Sequence, residues 1–453
     1  MQPTSPRSAA VRCTRGGAGG VTARPSCRFL SSKVPILLAL ACGGALALAA
    51  PGGARAQEAA APRAALGLQE VLQKALAHNK DLAAFEYRIA EQRGDREQAG
   101  LLPNPWLEVF VEDAAGSGIY EGFDSAQTTL SLGWVLEGKV RKGRVGAAEA
   151  GSKLVAADAR ILRIEVAADT AEHFLASLAS QVRLERAEEA IALAEQTVAA
   201  VTRRVRAGKA PTAELARAEA ELATDRLARD DVTHELSTAY HRLAAQWGET
   251  EPRFSRVEGD LLALPSVEPY GALAEGLERT PQLERYATEE RLARANLRLA
   301  EARRWPALRP LVGVRRYEAT DDTALVAGVS VPIPLLDRNQ GKVAESRASV
   351  SRARAEAGAA RVRLQTTLFE LCEELQHHFH RTETLRSEVI PRLEEALEGT
   401  RQAYERGRYG YFELRAVQRD LLRAQSDLVD ASTGAHRLVI ALERLIGERV
   451  VKK

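Results

Sequence analysis

Residues 187–222 read AEEAIALAEQTVAAVTRRVRAGKAPTAELARAEAEL, and this stretch decides the fold. Its apolar side chains recur three and four positions apart, which is the seam spacing of a coiled coil. Gly208 suits the end of one helix, and Pro211 suits the first turn of the next. The stretch therefore predicts a helical hairpin over about residues 139–247, with arms of about sixty residues and roughly 100 Å each. The seam residues are Ala187, Ile191, Ala194, Val198, Val201 and Val205 before the turn, and Leu215, Ala218 and Leu222 after it.

The hairpin signature occurs twice in the 453-residue chain. Gly208 and Glu214 recur as Gly407 and Glu413 about 200 positions later, and a leucine follows each glutamate. This repetition indicates two copies of one unit. The predicted segments are a first repeat over 57–248, a connector over 249–269 and a second repeat over 270–453. The second seam falls at Leu414, Val417, Leu421, Ala424, Leu428, Ala431, Ala435, Leu438, Leu442 and Leu445.

Each unit also carries a shorter helix and two strands ahead of its long helices. Prolines end the shorter helix in both units, and apolar and polar residues alternate in the strands that follow. With aromatic residues at only 5% of the chain, long packed helices are favoured over a large mixed core. The predicted fold is mainly α with a small β part. The shorter helices are predicted at 67–100 and 270–304, and the strands at 106–112, 128–135, 311–317 and 325–333.

The strands raise the question of how their backbone edges are satisfied. Four strands in one chain are too few to close a barrel, and an open sheet cannot lie in lipid with unpaired edges. Three chains would supply twelve strands, which can close. The alternative is a small soluble sheet that caps a coiled-coil rod.

The N-terminal region has the organisation of a secretory signal. Basic residues precede an apolar run over 34–50, and an Ala54-Arg55-Ala56 sequence predicts cleavage near Ala56. We therefore assign residues 1–56 to a cleaved signal region. Cys42 leaves open a second possibility, lipid attachment after cleavage before the cysteine.

Removal of this region changes the charge and the cysteine count. Seven basic residues and no acidic ones precede Gln57, so 63 basic and 61 acidic residues become 56 and 61. The mature chain has no basic excess that would indicate nucleic-acid binding. Of four cysteines only Cys372 remains, which excludes an intramolecular disulfide framework and predicts a packed thiol.

Three sequence features resemble those of a known family. They are the junction sequence VPIPLLDRNQGKV at residues 331–343, its degenerate first copy VLEGKVRKGRV at 135–145, and the two Gly-x5-Glu-Leu turns. Together with the duplicated plan, they resemble the TolC-type outer membrane efflux proteins, and most of all the CzcC-like heavy-metal branch. The resemblance implies a homotrimer with a twelve-stranded barrel in the outer membrane, continuous with a twelve-helix periplasmic tunnel. It also implies two partners, a periplasmic adaptor and an inner-membrane pump of the resistance-nodulation-division type.

The junction residues have physical reasons to stand between a strand and a helix. Pro332 and Pro334 fix an extended entry, and Asp337 is expected to cap the helix through its carboxylate. Gly341 would allow close approach between neighbouring chains. Arg338 and Asn339 complete the predicted junction set.

The two hairpin turns are where the resemblance places adaptor docking and a gate. Three copies of their charged residues would form rings or inter-subunit pairs, and Tyr409 and Tyr411 could pack as a constriction. The alternative is that Glu214 and Glu413 simply favour the positive helix N-terminus. The predicted tip residues are Gly208, Pro211, Glu214, Glu405, Arg406, Gly407, Arg408, Tyr409, Tyr411 and Glu413.

His377, His378 and His380 form a weak candidate metal site. His377 and His380 can share a helix face, and His378 falls in register with seam leucines. No carboxylate or thiol is well placed to complete a tight site, so a polar seam position is the default.

Two functional classes remain open from the sequence. The favoured one is a passive exit duct of a tripartite exporter, with heavy-metal cations as cargo and drugs or secreted proteins as alternatives. The other is a periplasmic coiled-coil scaffold without a channel. No phosphate-binding loop or catalytic arrangement indicates an enzyme, and no cofactor is expected.

Overall fold

A computed structural model of the chain describes residues 65–451. The predicted signal region, its cleavage site near Ala56 and Cys42 lie outside these residues. Within residues 65–451, no helix is both long enough and apolar enough to cross a membrane. The helices are α1 (Leu68–His78), α2 (Lys80–Gly100), α3 (Lys139–Arg206), α4 (Thr212–Ala245), α5 (Tyr270–Gly276), α6 (Pro281–Ala302), α7 (Gln340–Thr384), α8 (Ile390–Glu405) and α9 (Tyr411–Ile446).

Six strands complete the described chain. Two of them are a short parallel pair, and the other four form an antiparallel sheet in the order β2-β3-β5-β6. The sheet therefore draws two strands from each predicted repeat and joins them through β3 and β5. The strands are β1 (Leu66–Gly67), β2 (Trp106–Glu112), β3 (Gln127–Gly133), β4 (Val257–Glu258), β5 (Arg309–Tyr317) and β6 (Asp322–Ser330).

The first hairpin has unequal arms, which corrects the prediction of two arms of equal length. The ascending helix α3 is continuous over 68 residues, whereas α4 has 34. The half of α3 nearer the sheet packs instead against α2 and α6. At about 1.5 Å per residue, α3 alone is roughly 100 Å long. Sequence periodicity identified the helices but not the change of partner halfway along α3.

The ascending arm of the second hairpin is interrupted. A five-residue π-helical segment, Leu385–Val389, separates α7 from α8, and Pro391 follows at the start of α8. Proline lacks the N–H that a continuous α-helix needs, and π segments accommodate such a local change of hydrogen bonding. The descending helix α9 has 36 residues and packs against both α7 and α3.

The shorter helix of each repeat is broken once, where a single helix was predicted. Asn79 ends α1 and caps α2, because its side-chain oxygen accepts from the N–H of Asp81 at 2.9 Å and of Leu82 at 3.2 Å. Its amide also donates to the Gln246 carbonyl oxygen at 3.0 Å. In the second repeat, Thr280 caps α6, and Pro281 occupies the first helical turn.

The antiparallel sheet has one apolar face that the single chain leaves open. Residues in register share a face, and Leu107 pairs with Leu132 while Val109 pairs with Leu130. This confirms the alternation predicted for β2 and β3, although β3 ends at Gly133, two residues earlier than predicted. Leu107 is 67% exposed and Leu325 on β6 is 77% exposed, so the apolar face lacks a cover within residues 65–451.

The opposite face of the sheet carries most of its polar side chains, although Phe110 and Val326 also lie on it by register. Arg315 on β5 donates to the Thr129 hydroxyl at 2.8 Å, to the Gln127 side-chain oxygen at 3.1 Å and to Glu112 at 2.8 Å. Glu108 and Ser131 share this face by register. The sheet is thus amphipathic, with an apolar side and a hydrogen-bonded polar side.

The predicted seam of α9 forms much of the helical core. Nine of its ten predicted residues are buried, and the exception is Val417, whose place in the core is taken by Gln418. One core cluster joins α9 to α5 and α7, and a second joins α3, α4 and the connector. Cys372 is buried in the first of these clusters, as predicted for a packed thiol.

Candidate functional site

The turns of the two long hairpins lie beside each other. Arg204 near the end of α3 donates from its guanidinium to the backbone carbonyl oxygen of Tyr404 in α8, and its guanidinium carbon lies 4.3 Å from the centroid of the Tyr404 ring. The structure therefore brings the two predicted tip segments together at one end of the helices. The buried residues that join them are Val201, Ala218, Tyr404, Tyr411 and Leu414.

Glycines close both turns as predicted. Gly208 and Gly407 have φ angles of 67° and 76°, in the left-handed region that glycine adopts without steric cost. The N–H of Gly208 donates to the Val205 carbonyl and that of Gly407 to the Tyr404 carbonyl, each at 3.0 Å. Pro211 was predicted in the first turn of the helix after the hairpin turn. In the structure it is the N-cap residue of α4, one position before that turn.

The two glutamates of the tip occupy the first turns of α4 and α9. A side-chain oxygen of Glu413 accepts from the backbone N–H of Gly410 at 3.1 Å, so this residue caps α9. Glu214 is half-buried, and one of its carboxylate oxygens has no hydrogen-bond partner within the described residues. Helix capping is therefore sufficient to explain why a glutamate stands at position 413. The role of Glu413 in a charged ring stays a prediction.

The two tyrosines predicted as a constriction lie in different environments. Tyr411 is 1% exposed, and its hydroxyl donates to Glu221 of α4 at 2.6 Å. Burial and this hydrogen bond raise the pKa of the Tyr411 phenol. Tyr409 is 50% exposed. The prediction was therefore wrong for Tyr411, because its ring fills the interior between the two hairpins of its own chain.

A polar network behind Tyr411 was missed by sequence reasoning. Arg415 forms an ion pair with Glu221, and Gln418 donates from its amide to the Thr197 hydroxyl at 2.9 Å. Burial raises the pKa of the nearby Asp225 carboxyl, against the opposing charge of Arg415. The sequence held one sign of this network, a glutamine at position 418 next to the predicted seam position 417. The three-and-four spacing alone assigned the buried position to Val417.

Three charged side chains of the second turn project from this end. Glu405, Arg406 and Arg408 are exposed, and none has an ion-pair partner within residues 65–451. Phe412 is 63% exposed and lies beneath the Arg217 guanidinium at 4.9 Å. The tip thus combines an internal polar network with an outward charged rim.

The strand-to-helix junction differs from the prediction in its course and in its cap, since the N–H of Leu335 donates to the Ile333 carbonyl oxygen at 2.9 Å and turns the chain at Pro334. Pro332 and Pro334 lie in the segment between β6 and α7. Asn339 is the N-cap residue, with φ of 56°, and its side chain donates to the Ala300 carbonyl oxygen at 2.7 Å. Asp337 does not cap α7, since its carboxylate accepts from the Asn339 N–H at 2.8 Å. Arg338 and Gly341 are exposed, and nothing within the described chain lies within 4 Å of a Cβ placed on Gly341.

The histidine cluster does not converge on one point. His378 is half-buried against α9, where its Nδ1 donates to the Ala431 carbonyl oxygen at 3.0 Å, while His377 and His380 are exposed. Among residues 65–451, no three histidine, cysteine or acidic side chains are grouped closely enough to hold a metal ion. The structure thus places His378 as a packed polar residue between α7 and α9.

Comparison with known proteins agrees with the duplicated fold. Residues 71–249 and 272–448 each match the family model described as outer membrane efflux protein. The two matched segments contain the two strand pairs and the two hairpins described above.

Individual relatives and structures extend this similarity over most of the chain. The cobalt-zinc-cadmium resistance protein CzcC of Cupriavidus metallidurans is 28% identical over 391 residues, covering 86% of this chain and 91% of CzcC. The nickel-cobalt-cadmium resistance protein NccC of Alcaligenes xylosoxydans xylosoxydans is 29% identical, covering 70% and 72%. The crystal structure of CusC superposes with a TM-score of 0.69 at 18% identity, covering 84% of this chain and 92% of CusC. The chain belongs to the outer membrane efflux protein family.

Proposed function

We propose that this chain is the outer-membrane exit duct of a tripartite efflux system and acts as a homotrimer. The amphipathic sheet carries the proposal, because its apolar face is open and its opposite face is mainly polar and hydrogen-bonded. A barrel wall needs this pattern, with apolar side chains toward lipid and polar side chains toward the lumen.

The sheet edges supply the argument for three copies. β2 and β6 are the outer strands, and each pairs on one side only within residues 65–451. Open edges cannot persist in the hydrocarbon region of a bilayer, where every backbone polar group needs a partner. Pairing β6 of one copy with β2 of the next would satisfy both edges, and three four-stranded sheets would close as twelve strands. The long hairpins, continuous with the strands through the two junctions, would then line a twelve-helix tunnel through the periplasm.

The joined hairpin tips would dock a periplasmic adaptor and form the gate. Three copies of the charged rim, with Glu405, Arg406 and Arg408 from each, would surround the narrow end of the duct. The duct itself would be passive, since the sequence has no phosphate-binding loop, and energy would come from an inner-membrane pump of the resistance-nodulation-division type.

Heavy-metal cations are the proposed cargo. CzcC and NccC are named for resistance to cobalt, zinc, cadmium and nickel, and both align with most of this chain. A duct releases its cargo most readily when contacts along it are weak, so a tight metal site in the wall would work against transport. Drug or protein export by the same architecture is the alternative outcome.

The segmentation remains part of the proposal. Residues 1–56 would direct secretion and be removed, residues 57–248 and 270–453 would form the two repeats, and 249–269 would connect them. The alternative is cleavage before Cys42 in place of cleavage near Ala56, in which case lipid attached to Cys42 would anchor the N-terminus to the same membrane.

Two measurements test the assignment. The full chain, extracted from outer membranes, should require detergent and migrate as a heat-labile trimer, whereas a chain that purifies from the periplasm without detergent would contradict a membrane duct. Deletion of the coding sequence should then sensitise its host to cobalt, zinc, cadmium or nickel salts. Sensitivity to drugs alone would retain the duct and refute the cargo.

A further inference from the structure

Three segments that connect the sheet to the helices line one groove. The groove has a volume of about 660 Å³ and is lined by the segments that follow β3, precede β5 and follow β6. Its walls are therefore the places where strands turn into helices. In the proposed duct this level corresponds to the periplasmic surface of the outer membrane.

The groove carries large apolar side chains that face outward. Trp305 is 69% exposed, Ile333 is 76% exposed and Leu335 is 69% exposed. Trp305 lies between α6 and β5, and Ile333 and Leu335 lie between β6 and α7, so all three stand at the end of the sheet where the chain passes into helices. Such a contiguous apolar patch on a protein surface indicates a binding surface.

Positive charge borders the apolar wall. Arg303 and Arg304 line the groove and are exposed, and the Lys139 ammonium lies 6.0 Å from the centroid of the Trp305 ring. Within the described part of the chain, none of these three cations has an ion-pair partner at 4.0 Å or less.

The acidic residues of the groove cancel only part of this charge. Glu137 is paired with Arg144 at 2.9 Å, so that carboxylate is already neutralised by a cation from outside the groove. Asp337 accepts from the backbone N–H of Asn339 and keeps its negative charge, which offsets one of the basic side chains. The groove therefore presents an excess of positive charge beside an apolar wall and a tryptophan.

We propose that this groove binds an anionic phospholipid, with its phosphate at Arg303 and Arg304 and its upper acyl chains along Trp305, Ile333 and Leu335. The inference rests on the proposed function, which places the groove at a bilayer surface. Two features favour a lipid over a second protein. Along the chain from α6 into β5, Arg303 and Arg304 come first and Trp305 follows them, which is the order of basic and aromatic residues at a membrane interface. Ile333 and Leu335 follow directly after β6, a strand of the sheet assigned to the bilayer.

The test uses detergent-solubilised trimers of the full chain and native mass spectrometry. Phosphatidylglycerol and phosphatidylcholine with identical acyl chains are added in parallel, and bound lipid is counted per trimer. We expect the wild type to prefer phosphatidylglycerol. Since each basic side chain near an anionic surface contributes about fivefold in affinity, Arg303→Gln with Arg304→Gln should weaken phosphatidylglycerol binding roughly 25-fold. Phosphatidylcholine binding should hardly change.

Matched variants separate charge from apolar contact. Arg419→Gln with Arg423→Gln removes two exposed arginines of α9, remote in sequence from the groove, and should keep the wild-type preference. Trp305→Ala should weaken both lipids, because it removes apolar contact for either headgroup.

Three results would overturn the lipid site while leaving the duct intact. These are equal binding of the two lipids by wild-type trimers, an unchanged preference in the Arg303/Arg304 variant, and dissociation of that variant into monomers, which would assign the groove to a subunit contact. A wild-type chain that is monomeric and needs no detergent would instead refute the proposed function itself.

Discussion

Gly434→Ala tests the packing of α7 against α9, where His378 fills the space that a side chain at 434 would need. A Cβ at this position would lie 2.2 Å from Cε1 and 2.7 Å from Nδ1 of the imidazole. Both distances are too short for any real contact, so the ring must leave. Its hydrogen bond to the Ala431 carbonyl oxygen, 3.0 Å long, would be lost with it.

The magnitude follows from three contributions. Overpacking a well-packed position costs about 1–3 kcal/mol. Loss of a buried hydrogen bond costs about 1 kcal/mol. Replacing glycine by alanine within a helix returns up to about 1 kcal/mol. We therefore expect Gly434→Ala to lower the free energy of unfolding by about 1–3 kcal/mol.

The assay is thermal unfolding of the full chain in detergent, followed by circular dichroism at one fixed heating rate. Gly358→Ala and Gly399→Ala are matched controls, because both glycines are helical and neither has an atom within 4 Å of a Cβ within the described chain. These controls should keep or raise the unfolding temperature. Adding His378→Ala to Gly434→Ala should restore most of the loss. If Gly434→Ala unfolds at the temperature of the controls, the inferred packing is wrong.

The other predictions concern the tip, the connector and the histidines. Tyr411→Phe removes a buried hydrogen bond to the Glu221 carboxylate and should cost about 1.5–3 kcal/mol of stability, measured by the same unfolding assay; an unchanged curve would contradict this contact. Burial lowers the pKa of His436, whose Nε2 donates to the Leu261 carbonyl oxygen at 3.0 Å. The unfolded chain therefore binds a proton where the folded chain does not, and stability should fall as the pH drops below about 6.5. His436→Gln should flatten that fall, and an equally steep profile would rule His436 out as its source. Charge removal by Arg408→Gln or Glu413→Gln should alter conductance in a planar bilayer, with Glu413→Gln also lowering stability through its lost cap; equal conductance for wild type and both variants would refute a charged gate. His377→Ala with His380→Ala should leave the metal tolerance of the host unchanged, and a loss of tolerance would reinstate the histidine site.

Periodicity predicted the helices and strands well because their burial repeats along the chain. Nine residues of the α9 seam and the alternation of β2 are confirmed by burial and register. The unequal arms of the first hairpin were not predictable from spacing. An apolar stripe shows that a helix is covered, but it does not identify the covering element, and α3 changes partner from α6 to α4 along its length.

The tip shows where single-residue reasoning fails. Tyr411 and Tyr409 differ by two positions at a helix start, and only the three-dimensional course of α9 decides which ring turns inward. Gln418 replaces Val417 in the core because Thr197 of the other hairpin satisfies its amide. The Gly-x5-Glu-Leu spacing did locate both turns, since a left-handed residue and an acidic first turn are local requirements of a helix end.

An isolated subunit carries an aggregation hazard in its own sheet. Exposed strand edges beside an uncovered apolar face are templates for pairing with any other unfolded or half-folded chain. The helical part, by contrast, has buried cores of its own and can form early. If the chain forms the proposed trimeric duct, biogenesis should therefore proceed with the hairpins folded first and the strands kept apart, by a chaperone or by delayed folding, until three copies meet at the membrane. Insertion and oligomerisation would then be a single coupled event.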